Sequence, residues 1–142
     1  MSFGKVVYMQ EQKDFIKKLL LELPEVSKLW EKNPKMWGDP SFFTELHPFM
    51  SLTKKALVAE DNDLAKKILN LIEGFLNGVD EESKNAIAYF FFEDLINSLS
   101  WKDKKYTKTF IKMLGPHSEE CCKIADKFWE ANTECLWDKK QE

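Results

Sequence analysis

Residues 80–99 read DEESKNAIAYFFFEDLINSL, and the reading of this stretch decides the fold. Asp80 precedes the run with a short carboxylate able to accept from first-turn backbone N–H groups, a helix-start signal. At 100° per residue, Ile87, Phe91, Leu95, Ala88, Leu99, Phe92, Ile96 and Tyr89 sweep one apolar arc of roughly 200°, far wider than a surface helix needs. A helix of this kind packs against neighbours on two sides. The remaining strip carries Ser83, Ala86, Phe90, Glu93, Asp94 and Asn97, so one large aromatic is stranded among polar groups. That strip is the first place to look for a binding surface.

The rest of the chain repeats the helical period and nowhere alternates with period two long enough to form a strand. A first helix is expected from about Met9 to Leu23, with Phe15, Ile16, Leu19, Leu20 and Leu23 on one face. Pro24 ends it, and a short helix follows over Glu25 to Lys32. The segment NPKMWGDP, residues 33–40, holds two prolines and a glycine and is the clearest loop. Ser41 caps a third helix to about Ala59, built on Phe42, Phe43, Leu46, Phe49, Met50, Leu57 and Val58; Pro48 removes a backbone donor and should kink or split it near His47. Asp61 or Asn62 caps a fourth, terminated by Asn77 and Gly78. After the central helix, Trp101 and Asp103 open a sixth to Leu114, and the last runs from Ser118 to about Trp137. With residues 1–8 as an extended tail, the chain reads as a single all-α domain, 1–142, of about seven helices.

The helices also suggest a repeat. Gly78 and Gly115 are 37 residues apart, and the same offset pairs Glu82 with Glu119, Ile87 with Ile124, Ala88 with Ala125, Phe91 with Phe128, Phe92 with Trp129 and Glu93 with Glu130. Helix pairs recurring at this spacing are compatible with stacked antiparallel hairpins, either a HEAT-like right-handed solenoid or an irregular helical bundle.

Composition narrows the function. The 21 basic residues are all lysine, against 24 acidic residues, for a net charge of −3. Without arginine the chain lacks the bidentate fork used on phosphates and guanines, which together with the negative charge argues against a nucleic-acid binder; the negative charge favours a basic protein partner. Three cysteines, two of them adjacent, match no zinc spacing and suit reduced thiols. The N-terminal MSFGKVVYMQ lacks the apolar core of a signal peptide and no run is long enough to span a bilayer, so the expected location is the cytoplasm and no membrane partner is expected.

No constellation for catalysis or for a cofactor emerges. His47 and His117 adjoin prolines and read as turn contacts or caps. No Glu-x-x-His pair, calcium loop or glycine-rich phosphate loop is present. Cys121 and Cys122 near a helix start are either a reactive thiol site or a core residue with an incidental neighbour. Lys104, Lys108 and Lys112 share a helical face beside Lys105, which reads as a solvated face or as a phosphate-attracting one. Trp37 with Asp39 is either an interaction tip or a cover folded back on the core. Phe90 is either a binding anchor or a contact for the N-terminal helices.

The central AYFFFEDL, preceded by GVDEES and ILNLIEGFLNG, and the upstream SFFTELHPFMSLTKKAL resemble a family of small bacterial all-α, HEAT-like proteins over residues 9–100. That family includes immunity proteins of contact-dependent growth inhibition. The resemblance implies a small, cofactor-free protein that binds a secreted toxin domain in the cytoplasm. Glu93 matches the family's helix glutamate, whereas Asp94 stands where an amide is expected.

These readings converge on a non-enzyme that needs no cofactor or metal. Its expected partner is a cognate toxin domain, a basic nuclease or RNase whose active site it occludes without itself contacting nucleic acid. Phe90 is the expected anchor, Glu93, Asp94, Asn97, Asp80, Glu81 and Glu82 the charged and polar surround, and Trp37 and Asp39 a second edge. The alternatives are a HEAT-like adaptor with no toxin partner and an RNA-associated protein using the face from Lys102 to Lys112.

Overall fold

The computed structural model describes residues 9–26, 28 and 41–129. They form an all-α fold; no strand occurs among them, and no helix is long and apolar enough to cross a membrane. The expected tail 1–8, most of the short second helix, the loop 33–40 with Trp37 and Asp39, and Cys135 lie outside the described residues.

Helix α1 (Gln10–Glu22) buries Phe15, Ile16 and Leu19 and leaves Lys13, Lys17 and Lys18 exposed. Helix α2 (Phe42–Val58) starts on a reciprocal cap: the Thr44 N–H donates to Ser41 Oγ at 3.1 Å, and the Ser41 N–H donates to Thr44 Oγ1 at 3.0 Å. Contrary to expectation, α2 is not split at Pro48. The helix runs through it, and the proline ring is buried, so apolar packing offsets the ladder hydrogen bond that proline cannot donate.

A tight turn joins α2 to α3 (Asn62–Leu76). Glu60 adopts a left-handed φ of 60°, and the Asp61 N–H donates to the Ala56 carbonyl at 2.8 Å, closing α2 in the manner usually entrusted to glycine. Asp61 then caps α3 through the Leu64 N–H. At the far end Gly78, with φ 88°, supplies the left-handed residue itself.

The central helix α4, residues 81–100, departs from a uniform α-helix. Ser83, Ile87, Phe91, Leu95 and Leu99 stand four apart and are all fully buried. In an unbroken α-helix each such step overshoots a turn by ~40°, so Leu99 would lie ~160° round from Ser83. The helix corrects this in its middle. Between the α segments Glu81–Ile87 and Asp94–Ser100 lies a π segment, Ala88–Glu93, whose wider turn takes in an extra residue and reverses the drift. The roughly 200° arc expected for α4 is therefore drawn together, and the helix packs on α2 to one side and on α6 (Pro116–Trp129) to the other. Helix α5 (Lys104–Lys112), capped by Asp103, closes the end near Leu99.

The core is aromatic at its centre. Phe91 meets Phe92 edge-on at 5.2 Å and Phe92 lies 6.0 Å from Phe110. Phe15 stacks on Phe75 at 4.1 Å, tying α1 to α3. A buried hydrogen bond from Gln12 Nε2 to Ser83 Oγ, 3.1 Å, ties α1 to the start of α4. Ser83 is thus interior, not part of the surface strip to which its spacing assigned it.

Candidate functional site

The surface strip of α4 meets α2 at the π segment. Because Phe91 and Phe92 both turn into the core, Phe90 is carried to the edge, where it is half-buried. There it meets Phe43 edge-on, with ring centroids 4.9 Å apart and planes at 68°. Phe43, expected in the core, is 46% exposed. The aromatic outside the core is therefore a pair, and Phe43 is its outer member.

One helical turn along each helix, the crossing becomes polar. His47 follows Phe43 by four residues, and Asp94 follows Phe90 by four. Burial pushes the Asp94 carboxyl above the usual carboxylate range, and the charge of His47 opposes this only in part. Among the described residues no lysine forms an ion pair with Asp94. His47 is mid-helix, not at a boundary, with Nε2 3.5 Å from Ser51 Oγ.

The other expected site residues divide. Glu93 is half-buried and Asn97 exposed on the same helix. Glu82 shares the four-residue row of Phe90 and Asp94, about 12 Å along the axis from Phe90 at 1.5 Å per residue. Asp80 is engaged as the cap, accepting from the Ser83 N–H at 3.1 Å, and lies with Glu81 at the helix start, away from the aromatic pair. Trp37 and Asp39 fall outside the described residues.

Three other features resolve into structure. Cys121 and Cys122 are both fully buried, and burial pushes the Cys121 thiol up to about 12, so no thiolate forms near neutral pH. The backbone of His117 donates to Glu73 at the start of α6, as a helix-boundary residue should. Among the described residues no three His, Cys, Asp or Glu side chains gather as metal ligands.

A family model matches residues 16–130. The chain belongs to the DUF7674 family, described as a domain of unknown function. Comparison with curated proteins and with solved structures finds no match. The DUF7674 region takes in the whole α2–α4 crossing and most of the described helices. The family description carries no activity, so the aromatic and acidic crossing is the feature from which a function must be argued.

Phe90 was legible as an aromatic out of place. Phe43 was not, because adjacent phenylalanines at a helix start both fit an apolar face until the crossing angle decides between them.

Proposed function

We propose that this protein is a binding domain without chemistry of its own, which captures a basic partner protein on the Phe43–Phe90 crossing. The observation that carries this reading is the juxtaposition of an edge-on aromatic pair, whose outer ring Phe43 is exposed, with a half-buried Asp94 that has no lysine among the described residues in an ion pair with it. An apolar anchor beside a partly desolvated carboxylate suits a partner that presents an apolar side chain and a cation together. Net charge of −3 favours the encounter with a basic surface.

The resemblance of residues 9–100 to proteins that include contact-dependent inhibition immunity proteins supports a narrower form. In it the partner is a cognate toxin domain, a nuclease, whose active site is covered by Glu93, Asp94 and the aromatic pair. A scaffold role without a toxin uses the same surface. The two forms separate on whether the partner is the C-terminal domain of a large secreted protein encoded next to this chain.

Calorimetric titration of the full chain with that toxin domain tests the reading. Wild type should bind, with affinity falling as salt rises; Phe43→Ala and Asp94→Asn should each weaken binding at least tenfold. Phe43→Ala is the cleaner probe, because Phe90 also packs on the core and its truncation would disturb the fold. Binding indifferent to both substitutions would remove this surface from the account.

A further inference from the structure

At the C-terminal end of α4, Trp101 is 85% exposed, the most exposed large apolar side chain among the described residues. It occupies the corner between α4 and α5, as the residue that ends the central helix. Lys102, Lys104 and Lys105, next to it in the chain, are exposed as well, and so is Lys112 two turns further along α5. The turn before α3, with Glu60 and Asp61 both exposed, also reaches this corner. Asp103 is engaged in capping α5, accepting from the Lys105 N–H at 3.0 Å, and Glu60 lies 3.8 Å from Lys105 Nζ. Lys105 Nζ also lies 5.1 Å from the centre of the Tyr106 ring.

Counted in sequence, these lysines are a solvated face and no membrane partner is expected. The projecting tryptophan alters that. A large amphipathic ring held in water at a convex corner, among cations, matches neither core packing nor a purely solvated surface.

We propose that this corner is a peripheral docking site for an anionic lipid bilayer, with the Trp101 indole seated at headgroup depth and the lysines facing the anionic headgroups. Indole rings favour that interfacial layer. Lysine serves there as a point charge, each contributing roughly a fivefold gain in affinity near an anionic surface. A single-stranded nucleic acid is the less fitting occupant. Strand binding draws on several stacking platforms and on arginine forks, whereas this corner presents one free ring and the chain has no arginine. The contact is superficial, since no described helix is long and apolar enough to cross a membrane.

The test is co-sedimentation of the full chain with phosphatidylcholine vesicles, with and without phosphatidylglycerol, beside fluorescence anisotropy with a single-stranded RNA oligonucleotide. The protein should sediment with the anionic vesicles at low salt, stay in solution with pure phosphatidylcholine, and be released at high salt. Trp101→Ala should weaken vesicle binding about tenfold, and Lys104→Gln with Lys105→Gln roughly 25-fold at about fivefold per lysine, both variants keeping wild-type circular dichroism. No sedimentation with anionic vesicles, sedimentation unchanged by both variants, or RNA binding in place of vesicle binding would each overturn the proposal. None of these outcomes touches the Phe43 surface, which lies at a different crossing.

Discussion

Two carboxylates, Glu73 and Asp94, are both partly buried and both sit where helices meet, yet their environments are opposite. Glu73 on α3 accepts from the backbone N–H of Ser118 at 2.8 Å and of His117 at 3.1 Å, capping α6 across a tertiary contact. Burial works against its ionisation, but the two N–H donors outweigh it, and its pKa lies below the ordinary value. Gly115 makes the approach possible, since a Cβ there would come within 2.5 Å of the Glu73 side chain. Asp94 has burial without such donors, and its pKa lies above the ordinary value. A carboxylate whose hydrogen bonds are complete is a joint. One that is desolvated near the surface, beside the exposed Phe43 ring, is suited to a partner.

The largest effect that would sharpen this contrast belongs to the joint. Glu73→Ala removes two charge-assisted hydrogen bonds and strips the cap from α6, which should cost about 2 kcal/mol. Thermal unfolding should show a midpoint lower by several degrees. An unchanged midpoint would mean that water replaces Glu73 at no cost.

A smaller effect lies in the acid range, where the two groups act with opposite sign. Because the folded pKa of Glu73 is depressed, its contribution is present above the unfolded carboxylate value and is lost as pH falls through the folded value. Because the folded pKa of Asp94 is raised, its contribution is present below the unfolded value and is lost as pH rises through the folded one. Urea titrations across this range should therefore find Glu73→Gln with a shallower loss of stability on acidification, and Asp94→Asn with a steeper one. Both variants following the wild-type profile would erase the distinction.

The smallest effect is expected at Phe43. Truncating a half-exposed ring should change stability by about 0.5 kcal/mol, measured by the same urea titration, although the same change is expected to weaken partner binding at least tenfold. A large loss of stability would make the aromatic pair a structural joint like Glu73.

The limits of legibility follow the same division between local and distant causes. The starts of α2, α3 and α5 could be read at Ser41, Asp61 and Asp103, and the stop of α3 at Gly78, because caps act within one turn. The all-α class followed from periodicity alone. The π segment was hidden by the assumption of a uniform 100° step, although the four-residue spacing of Ser83, Ile87, Phe91, Leu95 and Leu99 carried its signal. Glu73 could not be read, since its partners lie 44 and 45 residues away and nothing in its neighbours marks it. Burial of Ser83 depended likewise on Gln12, 71 residues distant. Of the proposed binding surface, Phe90 and Asp94 were legible as members of a polar strip; Phe43 and His47 needed the crossing.

The central claim is the proposal that the desolvated Asp94 receives a cation from the partner, which the doubly hydrogen-bonded Glu73 does not need. Carboxyl carbon-13 NMR, following both side chains through a pH titration of the free protein and of its complex with the proposed toxin-domain partner, tests it most directly. The account predicts a raised pKa for Asp94 in the free protein that falls on binding, while Glu73 stays low in both states. An Asp94 titration unaltered in a saturated complex would contradict it.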